Sequence, residues 1–187
     1  MASKVGIINY ALRILGADPI AAPDEDTENA RKVDNIYDIT LKSMLRSHPW
    51  SFAKKETALS QVSETPVLDD YTYVYSLPSD YLRLNKTSVE PDYSHKIKGR
   101  RIYSNSSTLS IEYIYFCTDT EQYDAEFVDA FAARLAAELC YAITKNKSLV
   151  EVKWAEFKEK FNKAKNLNAQ EITPDESQND LWLQSRL

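Results

Sequence analysis

Glycine is scarce in this 187-residue chain, occurring only at positions 6, 16 and 99. Glycine-rich phosphate cradles need several positions of close backbone approach, so nucleotide binding through such loops is excluded. Cysteine is limited to Cys117 and Cys140. In a reducing compartment the two read as small apolar side chains rather than a disulfide. Histidine is limited to His48 and His95, and neither has a Cys, His or carboxylate at zinc-site spacing. No serine stands in a Gly-x-Ser-x-Gly elbow, so no nucleophile with an oriented base can be named. The expectation is a protein with no catalytic residue, no bound metal and no cofactor.

Long apolar runs are also missing: none approaches membrane-spanning length, and the first residues lack the apolar core of a signal peptide. This predicts a chain made in the cytoplasm that does not associate with membranes. Twenty-three Lys and Arg against 28 Asp and Glu leave a net charge of -5, too balanced to make the whole surface a phosphate binder. With 43% hydrophobic residues the length suits one core, or one core with a modest insertion.

Helical period opens the chain. Val5, Ile8, Leu12 and Leu15 recur at spacings of three and four, with Ser3 placed to cap the start and Gly16 to end the helix. Asp24, Glu25, Asp26 and Glu28 then precede Ala30, Val33, Tyr37, Leu41, Met44 and Leu45, predicting a helix over about 27–46 with carboxylates at its positive end. Pro49 forces His48 into extended geometry and stops it.

From Trp50 to Tyr115 the composition turns to Tyr, Thr, Val and Ile in short runs broken by Pro66, Pro78, Pro91 and Gly99. The clearest predicted strands are 73–77, 81–87, 101–104 and 109–115, the last two joined as a hairpin through Asn105, Ser106, Ser107 and Thr108. Helical period returns at Asp124 with Phe127, Phe131, Leu135, Leu139 and Ile143 among seven alanines, which predicts a central helix packed on more than one side. A fourth helix is expected over about 149–168, with a capping box of Ser148 and Glu151 and a face of Val150, Trp154, Phe157, Phe161 and Ala164. Residues 170–187 are too short and polar to build their own core.

The predicted class is therefore α+β: a small bundle of about four helices with a strand-rich insertion between helices two and three and an extended C-terminal tail. Residues 1–48 form the N-terminal helical part and 49–118 the β-rich insertion. Residues 119–169 form a C-terminal helical part packing with 1–48, and 170–187 the tail.

Two carboxylate clusters, Asp24 to Glu28 and Asp119, Glu121, Asp124 and Glu126, stand at predicted helix starts, where the helix dipole and solvent account for them. Between Arg83 and Arg101 lie Arg83, Lys86, Lys96, Lys98, Arg100 and Arg101 against Glu90 and Asp92, interleaved with Tyr81, Tyr93 and Tyr103. Such a mixture suits an ordinary solvated sheet face or an acidic partner, and it also suits a nucleic-acid backbone.

Two segments carry a resemblance. The run Ser47-His48-Pro49-Trp50-Ser51-Phe52-Ala53, and after it Tyr75-Ser76-Leu77-Pro78-Ser79-Asp80-Tyr81-Leu82-Arg83, resemble the tail tubular protein A family, the head-to-tail adaptors (connectors) of short-tailed bacteriophages. Asn9, Ala11, Leu12, Leu15, Gly16, Gly99, Ile102 and the Phe127, Ala130, Ala133, Leu135, Ala136 helix support it, from about residue 5 to about residue 168. The resemblance implies a non-enzymatic virion subunit assembled in the host cytoplasm. It implies a homo-oligomeric, dodecameric ring at the neck, bound under the portal protein and presenting a platform to a downstream tail or nozzle protein. DNA would pass through its channel without sequence-specific binding.

Within those segments Trp50 and Phe52 are expected as core anchors locking the second helix to the first strand, with Pro49 setting the direction. Pro78 and Asp80 are expected to set a turn, and Arg83 to bond a carboxylate of its own chain or of a neighbouring subunit. Candidate portal or subunit contacts are Leu181, Trp182, Leu183, Arg186 and Leu187 in the tail, with Arg83, Arg100 and Arg101. Two other readings stay open: a nucleic-acid-binding module using region 83–103, and a cell-wall hydrolase using a carboxylate pair not identified.

Overall fold

The computed structural model of the chain describes residues 2–64, 66, 71–88 and 95–171. Helix α1 (Lys4–Ile14) starts where the Ser3 hydroxyl accepts the Gly6 N–H at 3.0 Å, and Gly16 follows it with φ of 68°, a left-handed turn that strains other residues. Helix α2 (Glu28–Ser47) starts on Thr27, whose hydroxyl accepts from Ala30 N–H. Glu25 shapes the approach by accepting from the Ala21 and Ala22 N–H groups and the Thr27 hydroxyl. Helix α3 (Ala125–Thr144) is capped by Asp124, which accepts from Glu126 and Phe127.

Helix α4 (Lys147–Glu171) corrects the expected capping box. The cap is Asn146, whose Oδ1 accepts from Ser148 and Leu149 at 3.0 and 3.3 Å. Lys145 lies in the left-handed region at φ 56°, so the chain reverses in two residues and Asn146, not Ser148, meets the free N–H groups.

Among the described residues, seven strands run between α2 and α3: β1 (Lys54–Ala58), β2 (Gln61–Val62), β3 (Tyr73–Ser76), β4 (Tyr81–Thr87), β5 (His95–Lys98), β6 (Arg101–Ser104) and β7 (Ser110–Tyr115). They form two antiparallel sheets, one in the order β1-β7-β4 and one in the order β2-β3-β6-β5. The four α-helices and antiparallel sheets of the described residues make the chain mixed α+β.

The expected hairpin over 101–115 is not formed, because β6 and β7 belong to different sheets. The intervening turn residues spend their polar groups redirecting the chain. Asn105 Oδ1 accepts from the Thr72 N–H, Ser106 N–H bonds the Ser104 hydroxyl, and Ser106 Oγ donates to the Thr108 carbonyl. The true two-residue hairpin joins β5 to β6, with Lys98 opposite Arg101 and Gly99 at φ 57°. Strands β1 and β5 read Lys-Lys-Glu-Thr-Ala and His-Lys-Ile-Lys, which hold too few apolar residues to show a half-buried alternation.

Helix α3 sits at the centre, packed against α1, α2 and α4. Phe127, Phe131, Leu135 and Leu139 are buried together with Ala130, Ala132, Ala133, Ala136 and Ala137, which let neighbouring helices approach on several sides. Trp50 is 0% exposed, its ring 4.9 Å from that of Phe127 and 6.0 Å from Phe161 on α4. Tyr75, Ile102, Ile111 and Ile114 from the sheets, with Leu77 and Leu109 flanking them, join the same buried cluster, so one core serves helices and strands.

Candidate interaction surfaces

The first motif forms the corner between α2 and β1. His48 is extended at φ -144° and ψ 148°, as the residue before a proline must be. Pro49 then turns the chain so that Trp50 enters the core, where its indole N–H donates to the Met44 carbonyl at 3.0 Å, one of the carbonyls near the end of α2. Phe52 is half-buried, 4.9 Å from Phe127 and 5.4 Å from Tyr123.

A residue that sequence reasoning passed over closes this corner. Asn168, near the end of α4, is buried; its Oδ1 accepts from Ser51 N–H at 2.9 Å and its Nδ2 lies 3.1 Å from His48 Nε2. Because Ser51 fixes the amide oxygen, the amide nitrogen faces His48, so Nε2 accepts and the ring proton sits on Nδ1. Burial, with the Lys165, Arg83 and Lys54 charges, holds His48 below its ordinary pKa. The signal was in the spacing: Phe157, Phe161, Ala164 and Asn168 follow one helical stripe, and a polar residue on a buried stripe needs a partner.

The second motif is a corner between the two sheets. Pro78 heads the turn, its carbonyl accepting from Tyr81 N–H at 3.1 Å and from the Arg100 guanidinium. Asp80 accepts from Lys55 Nζ and from the Tyr113 hydroxyl, both at 3.0 Å, and its carbonyl accepts from Phe116 N–H at 2.7 Å. Burial raises the Asp80 carboxyl, but the bonds from Lys55 and Tyr113 outweigh it and hold the group below its usual range. The same contact, after burial itself, pushes Tyr113 up to about 12.

Among the described residues Arg83 meets a backbone carbonyl rather than a carboxylate of its own chain: it donates to the Arg46 carbonyl at 3.0 Å. Arg46 in turn donates to the Leu82 carbonyl. The end of α2 carries carbonyls without helical partners and the negative end of the dipole, and a guanidinium answers both. The two motifs, far apart in sequence, are thus tied through α2 and β4.

The basic run divides between sheets. Arg83 and Lys86 lie on β4 of the three-stranded sheet, whereas Lys96, Lys98 and Arg101 lie on the β5–β6 hairpin of the other. Arg101 donates to Ser76 Oγ at 3.0 Å and lies 3.7 Å from Glu64. The tail residues Leu181, Trp182, Leu183, Arg186 and Leu187 lie outside the described residues, as do Glu90, Asp92 and Tyr93.

Both carboxylate clusters are engaged in structure. Asp26 pairs with Arg31, Glu28 with Lys32 and Glu126 with Lys163, while Asp119 and Asp124 cap helical turns. Among the described residues, no group of three or more His, Cys, Asp or Glu is arranged to hold a metal ion, and no helix is long and apolar enough to cross a membrane. Cys117 and Cys140 are buried and unpaired.

Two more polar contacts join helices. Asp129 on α3 accepts from Tyr10 of α1 at 2.5 Å and from Lys160 of α4 at 2.7 Å. Burial raises its carboxyl, and the bonds from Lys160 and Tyr10 together bring it below its usual value. Arg134 on α3 lies over Trp154 at 4.3 Å and Phe157 at 5.1 Å and pairs with Glu138 at 2.8 Å. No protein-family model matches the chain, and no curated protein matches it either.

Proposed function

We propose that this chain is a non-enzymatic head-to-tail adaptor of a short-tailed bacteriophage, a subunit of a ring under the portal that joins capsid to tail around the DNA exit channel. The observation that carries the reading is the pairing of the two resemblance motifs. Residues 47–53 and 75–83 make the two corners of the strand region, and the Arg46 and Arg83 contacts tie them to one helix end. Both motifs are therefore explained as structural joints. This favours a scaffold over an active site, because His48, Asp80 and Arg83 are each bonded to a neighbour that holds the chain in place.

In this reading residues 1–48 and 119–169 form one helical body and 49–118 a β-rich insertion. The packing of α1 and α2 on α3 supports that division. A ring needs two different complementary patches on each copy, and the sheets and the helical body offer surfaces of different chemistry. The tail, with Trp182 between Leu181 and Leu183, is the proposed portal anchor, with Arg83, Arg100 and Arg101 as further contacts. The proposed partners are the portal protein above and the next tail protein below.

Native mass measurement of the chain with the portal protein of its own phage tests the proposal. A dodecameric complex on the portal is expected, and two unassociated species would overturn it. Deletion of residues 170–187 is expected to keep the melting temperature while weakening portal binding; unchanged binding would remove the tail from the interface.

A further inference from the structure

A concave surface of the helical body belongs to neither motif. It is an open groove of about 530 Å³ along the outer side of α1, with Gly6, Tyr10 and Arg13 on the helix and Gly16 and Pro19 beyond it. Asn9 fixes the far wall, because its side-chain amide accepts from the Ile20 N–H at 2.8 Å and donates to the Ile20 carbonyl at 2.9 Å. Glycine keeps the floor low. Gly6 is a helix position where alanine is preferred, and a methyl there would meet only the Ser3 hydroxyl, at 3.1 Å; one at Gly16 would meet nothing within 4 Å. No carboxylate lines the groove. Its one charged residue is Arg13, exposed, 4.9 Å from the Tyr10 ring and without an ion pair among the described residues.

A second surface complements it. Ile39 on α2 is 71% exposed, the most exposed large apolar side chain among the described residues. One exposed isoleucine needs no explanation by itself, but its flanks differ. Toward the start of α2 stand Asp34 and Asp38, both exposed and neither in an ion pair among the described residues. Toward its end stand Lys42 and Arg46, which are occupied by the Phe116 ring and the Leu82 carbonyl. An apolar knob with unpaired acid beside it thus faces solvent on one helix, and an apolar groove with an unpaired cation on another.

Helical geometry sets the two surfaces back to back. Lys4 of α1 reaches over the Tyr37 ring of α2, so these residues mark the sides on which the two helices face each other. Arg13 is nine residues from Lys4 and Ile39 two from Tyr37, and at 3.6 residues per turn each lies about half a turn round from its reference. We propose that the two surfaces are the halves of a head-to-tail contact between copies of this chain: Ile39 of one copy enters the α1 groove of the next, and Asp38 pairs with Arg13. Because the halves differ and face opposite ways, every copy can use both at once, and the contact propagates instead of stopping at a dimer. The inference rests on the adaptor reading for closure of the series into a ring, and on the groove and α2 alone for the contact. Both halves lie on the helical body, which leaves Arg83, Arg100 and Arg101 of the strand region to other partners.

One helix face makes a small interface, at the low end of the range for specific association, so the test traps the contact covalently. The full chain carrying Pro19→Cys and Ile39→Cys is treated with a short bismaleimide, which the native Cys117 and Cys140, each 0% exposed, do not meet. Within one chain the two new thiols are too far apart to be bridged: the Asp18 carbonyl is bonded to Asn29, and Ile39 lies about 15 Å further along α2. A ladder of dimers, trimers and larger species is expected. Either substitution alone should leave monomer, and an equal mixture of the two single variants should stop at dimer. Pro19→Cys with Ser148→Cys, which moves the second thiol to α4, should also leave monomer. Adding Arg13→Glu to the chain with both cysteines should slow cross-linking about tenfold, and adding Asp38→Lys to that should restore it. All of these positions are exposed, so melting temperatures should match.

Monomer alone from the chain with both cysteines would overturn the inference, as would a product that stops at dimer. So would cross-linking by either single variant, an equal ladder from the Ser148 control, or indifference to the charge reversal. Native mass with the portal separates the two proposals. A dodecamer on the portal that survives Arg13→Glu with Ile39→Lys sinks only this one; a ladder from a chain that the portal does not bind sinks only the adaptor reading.

Discussion

The helical body and the strand region are held together by different means. Around α3 the buried contacts are chiefly apolar: Phe127, Phe131, Leu135, Ala136 and Trp50 are each 0% exposed. The sheets are small, β1 and β5 are rich in charge, and single polar contacts fix their geometry: Asp80 with Lys55 and Tyr113, Arg100 with Pro78, Arg83 with Arg46, Asn105 with Thr72. Apolar burial is nondirectional and scales with area, so the helices set most of the stability. Hydrogen bonds are directional and contribute about 1 kcal/mol each, so the strand region is specified more than it is stabilised.

The largest expected effect tests the first half of that contrast. Trp50→Ala should destabilise the chain by about 3–5 kcal/mol, because it removes a fully buried ring touching α3 and α4 together with the bond to Met44. Denaturant unfolding measures it, and a loss smaller than that of Asp80→Asn would reverse the ranking of the two regions. Asn168→Ala comes next, at about 1–3 kcal/mol, since it strands a partly buried Ser51 N–H. That variant probes the joint where the two regions meet, so it should also raise hydrogen exchange in β1; unchanged exchange there would uncouple the corner from the sheet.

Acid should act in two steps, first on the joint between the regions and then on the carboxylates within them. His48 has a folded pKa below its ordinary 6.5, so its contribution is complete above that value and is lost as pH falls through the lower folded one. Protonation puts an N–H on Nε2 facing the Asn168 amide nitrogen, a clash of donors at the joint. Asp80 and Asp129 are also depressed, from 3.8, so their contributions are complete above that value and are lost at still lower pH. Thermal melts across pH should show both losses, with His48→Gln removing the first alone. A wild-type curve flat through the histidine range would show that the corner tolerates the charged ring.

The same contrast explains what could be read from the chain before its structure. Helix positions followed from apolar spacing, and the ends from Ser3, Gly16 and Asp124, because capping and period are local. Strand pairing is not local. Residues 101–104 and 109–115 read as strands with turn chemistry between them, and nothing in that chemistry says that Asn105 answers Thr72 rather than closing a hairpin. Of the candidate contacts, the buried role of Trp50 was legible from its place after a helix-stopping proline. The destination of Arg83 was not, because a guanidinium serves a helix end as well as it serves a carboxylate.

The smallest expected effect lies in the helical body itself, at a point where apolar packing has no say. Lys145 ends α3 at φ 56°, its N–H bonded to the Tyr141 carbonyl at 3.1 Å, and it is exposed. A side chain at that angle meets the following carbonyl, at a cost of about 1–2 kcal/mol, while glycine sits there freely but loses more backbone entropy on folding. The first effect is the larger, so Lys145→Gly should stabilise the chain by about 0.5–1 kcal/mol, seen as a small rise in denaturant midpoint with unchanged slope. If it destabilises instead, the lysine charge beside Glu28 at the start of α2 matters more than the strain, and the α3–α4 turn belongs with the polar joints of the strand region.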